Sequence, residues 1–186
     1  MAEDAKADKP LEQLREITVA LDSYEDIFSD FDPRPYNERE LSEDFLKAIH
    51  RRYMEGKRGR FELRFTIPAA ERDVKEEALI KRRLREHFSF MLRTEQEAVS
   101  STRKRGYAYI SLGTAVLLAN TFALFVLNEA SIIYQILSIL LVPAGWYGTF
   151  TGIGKVIDDP VEAENRGKLY EKFEHADYIF MSEELE

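Results

Sequence analysis

The residues most able to do chemistry lie in one loop. Asp22, Glu25, Asp26, Asp30 and Asp32 precede Arg34, the next base in the chain. Hard cations such as calcium and magnesium select clustered oxygen ligands of this kind, but an EF-hand also needs a mid-loop glycine and a glutamate at its twelfth position. This loop has neither. Its acids are therefore read as caps on backbone amides in an ordered turn, with Ile27, Phe28, Phe31 and Tyr36 packing on a sheet, and no metal is expected. Within the loop, Asp32-Pro33-Arg34-Pro35-Tyr36 restricts successive backbone angles. Asp32, Pro33, Pro35 and Tyr36 are accordingly expected to form a structural loop of fixed shape.

The other chemical candidates fare worse. Gly152-Ile153-Gly154-Lys155 has the Gly-Lys pair of a phosphate loop. Thr149 replaces the glycine required five residues earlier, and Val156 replaces the serine or threonine after the lysine. His50, His87 and His175 are widely separated, without an H-E-x-x-H pairing, and no serine sits in a nucleophile elbow. The chain has no cysteine, which excludes disulfides, thiolate catalysis and cysteine–metal sites. No catalytic residue and no cofactor are expected. With a net charge of −8 a nucleic-acid partner is not expected either.

Two amides, Asn120 and Gln135, stand out for a different reason: their surroundings are almost wholly apolar. Gly106–Asn128 runs 23 residues without a charge and Ala130–Gly154 runs 25, with Glu129 alone between them. About 20 apolar residues in a helix cross the roughly 30 Å hydrocarbon core of a bilayer. The expected architecture is an antiparallel transmembrane helical hairpin over 106–154, with spans at about 107–127 and 132–154. Arg103, Lys104 and Arg105 precede the first span and Lys155 closes the second, whereas the turn carries no Lys or Arg. The positive-inside bias then puts both termini in the cytoplasm and the protein in the cytoplasmic membrane. Met1–Pro10 has no apolar signal core, so no cleaved leader is expected.

Helices in lipid associate through small residues and a few hydrogen bonds. The first span offers a ridge at every fourth position, Ser111, Ala115, Ala119 and Ala123. The second offers Ser131, Ser138, Gly145 and Gly152 at sevens, together with Gly148-xxx-Gly152. With Asn120 and Gln135 these are candidates for helix packing, within or between hairpins, or for a polar pore lining. Pro143 removes a backbone donor from the second helix.

The remaining residues suffice for one small α/β domain of about three short strands with covering helices, built from 16–105 and 155–186 behind a disordered tail, 1–15. Glu16–Leu21 alternates as a strand, with Ile17, Val19 and Leu21 on one face. Phe61, Leu63, Phe65 and Ile67 alternate likewise before Pro68. Between them Leu41, Phe45, Leu46, Ile49 and Tyr53 recur at helical spacing, with Ser42 as N-cap and Gly56 as C-terminal stop. A charged helix from Ala70, with Val74, Ala78, Leu84, Phe88, Met91 and Leu92 as its apolar stripe, runs toward the first span and has its weakest point at Gly106. Asp159-Pro160 starts a last helix, Val161–His175. Ala176–Met181 reads as a third strand that returns to complete the sheet, since two strands alone bury a face poorly.

In order, these landmarks resemble a functionally uncharacterised family of small bacterial two-span membrane proteins. The resemblance is carried by Phe28 ahead of Asp32-Pro33-Arg34-Pro35-Tyr36, by Arg39 and Leu41, by the strand ending at Pro68, and by Arg82, Leu84 and His87-Phe88. Arg103–Gly106 and Gly145-Trp146 complete it. The family's Trp-Arg-Pro-x-Glu run after Gly-Trp is replaced here by the glycine-rich Tyr147–Gly154. The resemblance implies two spans and a cytoplasmic α/β domain, and brings no catalytic residues. The leading expectation is a non-enzymatic module that forms a homo-oligomer or docks on another membrane protein, in contact with membrane lipid. A homo-oligomeric channel lined by Thr114, Thr121, Asn120, Gln135 and Ser138 ranks second, and a surface enzyme using the acidic loop and a metal third.

Overall fold

A computed structural model describes residues 15–55, 61–127 and 131–183. The expected tail, Gly56 and the turn between the apolar segments fall almost entirely outside these residues. The order is β1 (Arg15–Ala20), a 3-10 turn (Tyr24–Ile27), α1 (Glu43–Glu55), β2 (Phe61–Pro68), a second 3-10 turn (Ala69–Glu71) at the expected start of the charged helix, α2 (Val74–Leu127), α3 (Ile132–Ile157), α4 (Val161–Glu174) and β3 (Asp177–Glu183). The chain forms two compact units: one holds the residues up to Phe88 and from Lys172 onward, the other Ser89–Glu171.

The first unit is built on a three-stranded sheet in the order β1-β2-β3, parallel throughout. Parallel neighbours need long crossovers. Here α1 lies in the first, whereas the second takes in α2, α3 and α4, so the C-terminal strand closes the sheet only after the whole helical region. The register places Ile17, Leu63 and Tyr178 in one row and Val19, Phe65 and Phe180 in the next. All six are buried, as strict alternation requires. Phe45 of α1 meets the Phe65 ring at 6.0 Å, and Lys81 of α2 lies over Phe180, so both helices cover this same face. The opposite face carries a charged row, in which Arg64 pairs with Glu16 at 2.6 Å and Glu62 at 2.9 Å.

Helix α2 departs from its expected stripe. Val74 and Ala78 are exposed, and the buried positions are Glu77, Ile80, Leu84 and Phe88. A carboxylate sits at the start of the core-facing row because it brings its own partners. Arg72 reaches Glu77 at 2.8 Å, Tyr24 donates its hydroxyl to the same carboxylate at 3.3 Å, and the Asp73 amide donates to the Tyr24 hydroxyl at 2.9 Å. A buried charge survives when it is paired and hydrogen-bonded in this way.

The second unit is helical. Helix α2 passes through Gly106 without a break for 54 residues, and α3 runs 26 residues with Pro143 inside it. Both are long and apolar enough to cross a membrane.

Candidate functional site

The glycines define the seam between α2 and α3. A Cβ at Gly113 would stand 2.5 Å from the Thr149 amide nitrogen and 2.6 Å from the Gly145 carbonyl. One at Gly152 would stand 2.6 Å from the Gly106 carbonyl and 2.7 Å from the Ile110 nitrogen. The Gly148 position faces the Gly113 Cα at 3.1 Å, and Gly145 faces Leu117. Contacts therefore run antiparallel, from Gly106 against Gly152 to Leu117 against Gly145. At several of these points the obstacle is main chain, so the helices meet at a separation that no side chain can enter. Such approach maximises dispersion between helices and is the usual use of small residues in lipid.

Asn120 continues the α2 series Gly106, Gly113, Asn120. It is buried, at 8% exposure, and its Oδ1 accepts no hydrogen bond among the described residues. Of the other candidates, Gly145 and Gly152 are buried in the seam, while Gly148 and Ser138 are half-buried. Ser111, Ala115 and Ala119 point outward, Ala123 is half-buried, and Gln135 is exposed yet partnered. The every-fourth ridge thus lies off the seam. Gly106 and Gly113 are the contact residues that sequence reasoning passed over. Their signal was available: a seven-residue spacing on α2 that matches Ser138, Gly145 and Gly152 on α3.

The acidic loop is ordered by its own carboxylates. Asp26 accepts from the amides of Asp22 (2.7 Å) and Ser23 (3.2 Å), completing a capping box on the 3-10 turn. Asp32 is largely buried and accepts from Arg34 through Nε and an Nη (2.9 and 2.7 Å), and from the Glu40 amide at 2.7 Å. The Arg34 guanidinium holds the Asp32 carboxyl well below the usual carboxylate range. Tyr36 stacks on Phe28 at 4.9 Å and donates to Glu25 at 2.8 Å, and Arg39 pairs with that same carboxylate. Burial, and then Glu25, push the Tyr36 hydroxyl up to about 12. A bridge between Phe28 and Leu41 closes the loop at its base. The carboxylates of Glu25, Asp26 and Asp32 are thus engaged by amide, hydroxyl and guanidinium donors. Ile27 and Phe28 are buried as expected, but Phe31 is 97% exposed instead of packing on the sheet. The inward position is taken by its neighbour Asp32, whose hydrogen bonds need the interior side of the turn.

His50 lies on α1 and His87 on α2. Burial, then Arg83, lowers the affinity of His87 for its proton, and the ring sits edge-on to Phe88 at 5.3 Å. Among the described residues no three His, Asp or Glu side chains gather as a metal site. Buried Tyr178 donates its hydroxyl to the Phe173 carbonyl at 2.6 Å, and burial raises its pKa.

No protein-family model, curated protein or solved structure matches the chain.

Proposed function

We propose that the protein is a non-enzymatic membrane module. Helices α2 and α3 would cross the cytoplasmic membrane as an antiparallel hairpin, with both termini inside, and the α/β unit would serve oligomerisation or partner docking. One observation carries this reading. Only 11% of the most apolar stretch of each long helix is buried. Leu112, Leu118, Phe122, Phe125, Ile136 and Leu140 all point outward. A core helix of a soluble protein would bury such a surface, because each exposed large apolar side chain forgoes roughly 1.5–3 kcal/mol in water. A bilayer supplies the missing cover.

The outward ridge Ser111, Ala115 and Ala119 is exposed among the described residues and supports association between copies. The engaged carboxylates of Glu25, Asp26 and Asp32 favour a fixed recognition surface over a catalytic one. Two measurements test this. Alkaline carbonate extraction should leave the full chain in the membrane pellet; release into the supernatant would refute the membrane reading. Native mass spectrometry in detergent should give a monomer or small oligomer, whereas a closed ring of four or more would favour a channel.

A further inference from the structure

The helical unit contains a groove of about 530 Å³ between α2 and α4, within the size range of small-molecule sites. Its floor is apolar, with Leu92 and Val99 from α2 and Ala163 and Gly167 from α4, and Tyr107 lies at the end nearer the apolar segment. A Cβ at Gly167 would meet Leu92 at 3.7 Å and Glu95 at 3.8 Å, ordinary contact distances that place α4 directly against α2 here.

The charges around the groove fall into two sets. Arg166 holds Glu95 at 2.8 Å and Arg103 holds Glu164, so these four tie α4 to α2, and Glu171 has a partner of its own. Lys104 and Lys168 line the same groove and make no ion pair among the described residues. Among the bases lining the wall, Lys104 and Lys168 are thus the two that make no ion pair among the described residues, and they stand above an apolar floor. That combination suits an anion attached to a hydrocarbon body.

The place in the chain selects the source of that anion. Lys104 and Tyr107 flank Gly106, where the uncharged segment begins. If that segment spans the bilayer, both lie at headgroup level, where basic pockets between helices take anionic lipids. We propose that this groove binds the phosphate-bearing headgroup of one anionic phospholipid, with Lys104 and Lys168 contacting the headgroup and Tyr107 lying beside its glycerol. This inference rests on the membrane reading above.

The test uses the full-length protein in detergent, titrated with phosphatidylglycerol, phosphatidylcholine or soluble glycerol phosphate, with retained molecules counted by native mass spectrometry. One phosphatidylglycerol per chain should be held in preference to phosphatidylcholine. The double variant Lys104→Gln/Lys168→Gln should hold it roughly thirtyfold more weakly, as expected for two juxtamembrane charges. Lys47→Gln/Lys75→Gln, which changes the same charge outside the groove, should bind as the parent does. Equal retention of both lipids, unchanged retention by the groove variant, or displacement by glycerol phosphate at lipid-like concentrations would each overturn the proposal. Carbonate extraction separates the two failures. A variant that pellets with membranes while lipid binding is unaffected defeats only the groove, whereas a parent chain found in the supernatant defeats the membrane reading itself.

Discussion

Replacing Gly113 by alanine isolates what holds α2 against α3. Alanine is favoured over glycine inside a helix by about 1 kcal/mol, so propensity alone predicts a gain. At this position the new Cβ would stand 2.5 Å from the Thr149 nitrogen and 2.6 Å from the Gly145 carbonyl. Ordinary contact begins near 3.4 Å, so α3 must retreat by almost 1 Å, and main-chain atoms cannot rotate out of the way. Overpacking a tight contact costs about 1–3 kcal/mol, with the upper end apt where backbone is the obstacle. Separating the helices also forfeits dispersion along the rest of the seam. The net expectation is a loss of about 1–2 kcal/mol. Gly154→Ala is the matched control, since its Cβ would meet only a flexible Asp158 oxygen at 3.8 Å. It should be neutral or stabilising by up to about 1 kcal/mol. The chain supplies its own reporter: Trp146 is its only tryptophan and follows Gly145 of the seam directly. Thermal melting in detergent, followed by Trp146 emission, should rank Gly154→Ala at or above the parent and Gly113→Ala clearly below. If Gly113→Ala melts with or above Gly154→Ala, the backbone-to-backbone seam is wrong.

Further predictions follow from the buried polar groups. Asn120→Leu removes a buried acceptor that has no donor among the described residues, a group that costs about 1–3 kcal/mol when left unsatisfied. The variant should therefore raise the Trp146 melting midpoint, and a lowered midpoint would mean that Asn120 has a bonding role. Arg72→Met strips Glu77 of its ion-pair partner and leaves a carboxylate at 4% exposure with, among the described residues, only the Tyr24 hydroxyl. Breaking such a pair costs about 3 kcal/mol when both partners are buried, and about 2 is expected here because Arg72 is partly exposed. Faster amide exchange in β2 would register the loss, and wild-type protection there would refute it.

Much of the local structure could be read from the chain because it depends on periodicity. Alternation in Ile17–Leu21 and Leu63–Ile67 marked both strands and the face they bury, since side chains of a strand point to opposite sides in turn. The long uncharged segments likewise announced helices of membrane-spanning length. In the loop, Pro33 and Pro35 restrict the backbone directly from the sequence. What composition could not show was pairing at a distance. The position of Glu77 in the core depends on Arg72 and Tyr24 arriving beside it, so a charge interrupted the apolar stripe and shifted the apparent face of α2. The choice between Asp32 and Phe31 for the inside of their turn was made by the Arg34 and Glu40 donors, not by hydrophobicity. The seam of the long helices was chosen by which residues let two backbones meet. Ser111, Ala115 and Ala119 are small enough, but Gly106 and Gly113 have no side chain at all, and only the tertiary contact makes that last methyl group decisive.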